Sequence, residues 1–237
     1  SEDIEPYTIC NLSCKYGKED LLNYVLKKYT QEDLDLKHNY FEDFIKNLKQ
    51  MSEFMIITYM LSLSEKDSKT LIVERGYQIF ESVCAMKYFD MASTLHSQVD
   101  KFATEFYWFQ LLYKLIEGRH LESFKWLIMR HDSLLDNPTY FEGFYFCSCD
   151  VGNIDSLNYL MCKNPEFTKT STFYKGFARA CKLGRKTLLD RLIELDEPSI
   201  VSNCESNGVL ADACIGGYNN VVLFLLGFYK KNNIICS

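Results

Sequence analysis

The sequence predicts an all-α fold, a solenoid of about seven stacked helix-turn-helix repeats, with β-hairpin fingers short if they form at all. Three observations predict it. Anchor positions Gly17, Ser52, Lys87, Arg119, Gly152, Gly184 and Gly217 recur at spacings of 35, 35, 32, 33, 32 and 33 residues. A pair of mostly small or apolar residues stands four and three positions before each anchor. Apolar pairs follow at +4/+5 and +8/+9, one stripe of a 3.6-residue helix.

In this register the repeats run over about 5–37, 40–72, 75–106, 107–139, 140–171, 172–204 and 205–237, one array covering the whole chain. Seven before each anchor stand Cys10, Ile45, Phe80, Leu112, Tyr145, Phe177 and Leu210. At −4 and −3 are Ser13-Cys14, Leu48-Lys49, Val83-Cys84, Leu115-Ile116, Ser148-Cys149, Ala180-Cys181 and Ala213-Cys214. These phases make a shorter first helix, and the small side chains let a neighbouring helix approach closely. The anchor then supplies the positive φ for a turn, a task suited to glycine. Five repeats show the apolar stripe of the second helix plainly: Leu21-Leu22 with Val25-Leu26, Ile56-Ile57 with Met60-Leu61, Ser156-Leu157 with Leu160-Met161, Leu188-Leu189 with Leu192-Ile193, and Val221-Val222 with Leu225-Leu226. Met91-Ala92 with Leu95-His96 and Ser123-Phe124 with Leu127-Ile128 complete the set. One such pair cannot bury its stripe alone, so neighbours must stack.

The pattern small-small-x-x-Gly-x-x-x-apolar-apolar-x-x-Leu-Leu resembles the ankyrin repeat, which Ala180-Cys181 to Leu192-Ile193 and Ala213-Cys214 to Leu225-Leu226 match at every helical phase. The family's Thr-Pro-Leu-His opening and its Gly-Ala-Asp hairpin occur in no repeat, so plain loops are expected in place of some fingers. Ser52 and Lys87 stand where the pattern has glycine.

Ten cysteines, four histidines and a net charge of −6 bound the chemistry. Cys14, Cys84, Cys149, Cys181 and Cys214 share the small-residue phase, where a free cysteine acts as a small hydrophobe. Equivalent positions in a stack are on the order of 10 Å apart, too far for a disulfide. Cys147-Ser148-Cys149 lacks a second pair at zinc spacing. No metal and no cofactor are expected, and a reducing compartment, cytosol or nucleus, fits. His96 lies on a core stripe, and His120 follows its anchor as the family's histidine does, where it would tie the turn. His131-Asp132-Ser133 are adjacent and cannot form a triad by themselves. Gly216-Gly217 lacks a following phosphate-loop pattern. The acidic groups Glu32, Asp33, Asp35 and Glu194, Asp196, Glu197 read as solvated turns.

No basic tract exceeds Lys230-Lys231, so nucleic acid is not expected as partner. The repeat at 172–204 is locally basic, with Lys175, Arg179, Lys182, Arg185, Lys186 and Arg191. Most of these are expected on a wet helix face, with an acidic partner as a lesser reading. The apolar run Phe54 to Leu61 is too short to span a membrane, and the acidic start Ser1 to Glu5 has no signal pattern. Opening on serine fits a processed or recombinant start.

Aromatic residues are 15% of the chain and gather at the start of the first helices. In the ankyrin family this phase contributes to the concave recognition surface. The resemblance thus implies a partner-binding row of Tyr77, Trp108, Phe109, Phe141, Phe144, Phe173 and Tyr174. The alternative is that these rings fill the space between successive repeats. The reading is a non-enzymatic, monomeric module that binds another protein, with no catalytic residue. Divergent arrays resemble those of amoebae, giant viruses and intracellular bacteria, which suggests a host-directed effector or adaptor acting in host cytosol. The alternatives are an inhibitor acting by steric block, or a hydrolase using His120 or His131.

Overall fold

The computed structural model describes residues 8–9, 12–13, 16, 18–28, 76–100, 103–204 and 208–234. The expected second repeat at 40–72, the anchors Gly17 and Ser52, and Cys10 and Cys14 lie outside them. Every described element is helical, and no strand occurs among the described residues. Within those residues no helix is long and apolar enough to cross a membrane. The chain divides into two compact units, 1–111 and 112–237.

The first unit contains α1 (Glu19–Lys28), α2 (Gly76–Ala85), α3 (Phe89–Val99) and the first half of α4 (Glu105–Glu117). On α1 the stripe buries Leu22 and Val25, while Leu21 and Tyr24 face solvent. Helices α2 and α3 pack together as one pair, closing on Phe80, Val83, Cys84, Ala92 and Leu95.

The second unit takes the rest of α4, then α5 (Leu121–Ile128), α6 (Ser133–Asp136), α7 (Pro138–Val151), α8 (Ile154–Lys163), a 3-10 turn at Pro165–Lys169, α9 (Ser171–Lys182), α10 (Lys186–Cys204), α11 (Val209–Ile215) and α12 (Asn219–Lys231). The first helices α7, α9 and α11 pack one on the next, and α10 packs on α12. Local sequence dictates where these helices begin. Asn137 accepts from the Thr139 N–H at 3.0 Å with Pro138 opening α7, and Thr170 accepts from the Phe173 N–H at 3.3 Å to open α9. Helix α10 is broken at Asp196 (φ −158°, ψ 77°), whose carboxylate caps Ser199 N at 3.1 Å and starts a second segment at Pro198. The stretches after the second helices are therefore helical: α6, the 3-10 turn and 197–204 stand where hairpin fingers or plain loops were expected.

Every described anchor adopts the left-handed conformation: Lys87 (φ 62°), Arg119 (60°), Gly152 (67°), Gly184 (69°) and Gly217 (73°). In each, the anchor N–H donates to the −3 carbonyl and the next N–H to the −4 carbonyl, as in Lys87 N to Cys84 O at 2.9 Å and Tyr88 N to Val83 O at 3.1 Å. These paired bonds form a Schellman motif and use up the last free carbonyls of the first helix. Lys87 and Arg119 thus serve as anchors despite their side chains. At Gly184 space also excludes a side chain, since a Cβ would lie 2.4 Å from the Tyr218 ring. Around the turns, Ser13, Val83, Leu115, Ser148, Ala180 and Ala213 at −4 are all buried.

Candidate functional site

The seven aromatic residues expected to meet a partner fall into three groups. Trp108, Phe141, Phe144 and Phe173 are buried, which corrects the expectation that they line an open recognition surface, and Tyr174 is buried except where its ring borders a groove between α9 and α11. Trp108 stacks on His96 at 5.0 Å and meets the Phe80 ring edge-on at 5.9 Å. Phe141 lies 4.8 Å from Phe167, Phe144 meets Phe124 of α5 edge-on at 5.8 Å, and Phe173 stacks on Tyr145 at 5.9 Å. Phe109 is half-buried and stacks on Phe106, which is 55% exposed. Tyr77 lies in α2 with its side chain outside the described residues.

Helix phase is the physical reason. Positions −11 and −8 precede −7 and −4 by about one turn, so they continue the apolar stripe of the first helix. The opposite side is reached two residues on, about 200° around the axis. There lie Phe146 and Asp150 on α7, Lys175, Arg179 and Lys182 on α9, and Asp212 and Ile215 on α11. The pattern that marks this stripe is the lack of large apolar residues: −9, −5 and −2 carry polar or small side chains in most repeats.

The seam between α7 and α9 is closed by ties from one repeat to the next. Arg179 forks onto Asp150, Nε to Oδ1 at 2.7 Å and Nη2 to Oδ2, with its guanidinium 5.0 Å over the Phe146 ring. Hydrogen bonding to Asp150 holds the Arg179 pKa above its ordinary value. Arg185 Nε donates to the Asp150 carbonyl at 2.8 Å, and Thr172 Oγ1 to Glu142 at 2.9 Å. Arg191 bonds Asn158 at 2.6 Å and Glu194 at 2.9 Å, and Lys186 bonds Asp190 at 2.7 Å. Four of the six cations of this basic repeat are therefore engaged with neighbours, not merely solvated. Lys175 and Lys182 form no ion pair among the described residues.

Between α9 and α11 the seam opens instead into a groove of about 410 Å³. Helix α9 contributes Ser171, Tyr174, Lys175 and Ala178, while Val209 and Asp212 of α11 form the facing wall. Tyr174 lends the groove its ring. Among the described residues its hydroxyl has no partner at normal hydrogen-bond geometry and sits beside the Cys204 thiol, a weak partner at best; burial, then Cys204 and Tyr229, push its pKa well up.

No protein-family model, no curated protein and no solved structure matches the chain.

Of the five cysteines expected in the helix wedge, four lie among the described residues and three of those are buried as expected. Cys84, Cys149 and Cys181 are buried free thiols. Burial pushes the Cys147 and Cys149 thiols up to about 12, so neither is a nucleophile or a ready thiolate ligand near neutral pH. Cys147 Sγ donates to the Tyr113 carbonyl at 3.6 Å. Cys214 is exposed, which corrects its placement in the helix wedge. His120 ties its turn through its backbone N–H to Leu115 O at 2.8 Å, and its side chain makes no capping bond.

Proposed function

We propose that this chain is a non-enzymatic protein-interaction module, an ankyrin-like stack that binds a partner protein across the outward stripe of its first helices. One observation carries the reading. Where α7 meets α9 the outward groups bond to one another, whereas beside α11 the groove holds Lys175 and Asp212, which form no ion pair among the described residues. Ionic groups held open on a helical framework suit recognition of another surface. The period near 33 residues, the helix pairs and the left-handed anchors support the ankyrin-like attribution, and the helical segments in place of fingers make it a divergent one. The host-directed effector role remains part of this proposal, resting on resemblance alone.

Site-specific photo-crosslinking tests it. A crosslinker replacing Lys182 on the outward stripe should give a discrete adduct from source-cell lysate, and the same group at exposed Glu194 on α10 should not. Equal labelling at both positions, or none at Lys182, would sink the reading.

A further inference from the structure

We propose that the groove between α9 and α11 takes an extended peptide segment of the partner protein, one that sets an acidic side chain against Lys175 and Ser171 and a basic one against Asp212. The inference rests on the interaction-module reading and adds the chemistry of what is bound.

The argument starts from the contrast between two equivalent seams. Bonds from Arg179 and Thr172 of α9, and from Arg185 in the turn that follows it, reach α7, and no hydrogen bond or ion pair crosses from α9 to α11 among the described residues. Repeat geometry alone would make the two seams alike. Among the described residues that border the second seam, two are short: Gly208 stands at −9 of the last repeat and Ala178 at −6 of the repeat before. Two charges of opposite sign line this opening. Lys175 is exposed, Asp212 is half-buried, and neither is ion-paired among the described residues. Ser171 stands four residues before Lys175 on the same helix face, and its hydroxyl makes no hydrogen bond among the described residues.

A cation and a hydroxyl donor on one wall with a carboxylate on the other match a ligand that carries both signs. They match a polyanion poorly, because Asp212 repels it, and this disfavours a nucleic acid backbone. The Tyr174 ring, Ala178 and Val209 supply apolar surface for the aliphatic stems of the bound side chains. A volume of about 410 Å³ lies within the roughly 300–1,000 Å³ of ordinary ligand sites. It holds a few side chains, not a folded domain.

The test uses the full chain and fluorescein-labelled 12-residue peptides of otherwise Gly/Ser/Ala composition. Four central frames are compared by fluorescence anisotropy: Asp-x-x-Lys, Asp-x-x-Asp, Lys-x-x-Lys and Ala-x-x-Ala. The mixed frame should bind at least about tenfold more tightly than the other three. K175E should lose about tenfold on the mixed frame and gain on Lys-x-x-Lys, and D212K should shift preference toward Asp-x-x-Asp. Both positions are solvent-accessible, and thermal melts of the variants should overlay the parent. Equal binding of all four frames, no binding of any, or indifference to K175E and D212K would overturn the inference. If the Lys182 crosslink still forms while the frames fail, the module reading stands and this one falls; if both fail, both fall.

Discussion

Tyr145 Oη donates a 2.5 Å hydrogen bond to the main-chain oxygen of Phe173, 28 residues later, so a side chain of α7 is tied to the opening turn of α9. The phenol lies directly over Gly176, where a Cβ would come within 2.2 Å of Oη. Burial keeps the Tyr145 pKa well above its ordinary value, so the group stays a neutral donor.

Gly176→Ala should therefore destabilise the second unit by about 1–3 kcal/mol, the range for overpacking a filled interior. Urea unfolding followed by circular dichroism measures it. Tyr145→Phe keeps the ring and loses the bond, and about 1 kcal/mol is expected. A wild-type midpoint for Gly176→Ala would show that the ring moves freely.

The two non-glycine anchors should respond differently to glycine. Lys87→Gly relieves a left-handed side-chain conformation and should stabilise by about 1 kcal/mol. Arg119→Gly relieves the same strain but deletes the 2.8 Å bond from Arg119 Nη2 to Val151 O, so its net effect should be near zero. Thermal melts of both variants decide this, and an equal gain at both sites would mean that the arginine bond adds nothing.

Asn153 is buried and works in two directions. Its Oδ1 caps Ser156 N at 3.2 Å, and its Nδ2 donates to Ile116 O of α4 at 3.0 Å. Asn153→Ala should cost about 2–3 kcal/mol, a cap plus a buried hydrogen bond. Asn153→Asp keeps the acceptor alone and should recover only part of that, read from chemical denaturation of the pair.

Trp108→Ala and Phe141→Ala should each cost about 3–5 kcal/mol in stability, because both rings are core. Lys175→Glu should leave stability within about 0.5 kcal/mol. Parallel melts separate the two classes, and a Trp108→Ala protein as stable as the parent would return that ring to the list of surface anchors.

Stability should fall at alkaline pH. The Cys147 and Cys149 thiols are raised from 9 to about 12 by burial, and Tyr113 from 10 to about 12. Above pH 9 the unfolded chain loses these protons while the folded chain keeps them, so stability is whole below pH 9 and declines from there toward 12. The melting temperature should drop by more than about 5 °C between pH 8 and 10.5. Cys149→Ala should flatten that slope, and an unchanged slope would assign the decline to other groups.

The sequence by itself determined the register. Its 32–35-residue spacing placed the helix pairs from 75 onward, the buried −4 phase, the +4 and +8 stripe and the anchor turns, because these depend on local periodicity and on one backbone conformation that recurs. It even placed anchors at Lys87 and Arg119, whose side chains argue against a left-handed turn. Tertiary structure decided what covers each helix. Trp108 and Phe141 share a spacing that suited a binding row as well as a core, and only the packing around them, Phe80 and His96 on Trp108 and Phe167 on Phe141, makes them core. Cys214 has the same phase as Cys181, yet Cys181 is buried and Cys214 is exposed. The closed α7–α9 seam and the open α9–α11 groove follow from pairs such as Arg179 with Asp150, whose meeting depends on the offset between stacked helices. Periodicity specifies which stripe each helix turns to its own partner, but two helices a repeat apart meet side chain by side chain, and that contact is written in three dimensions.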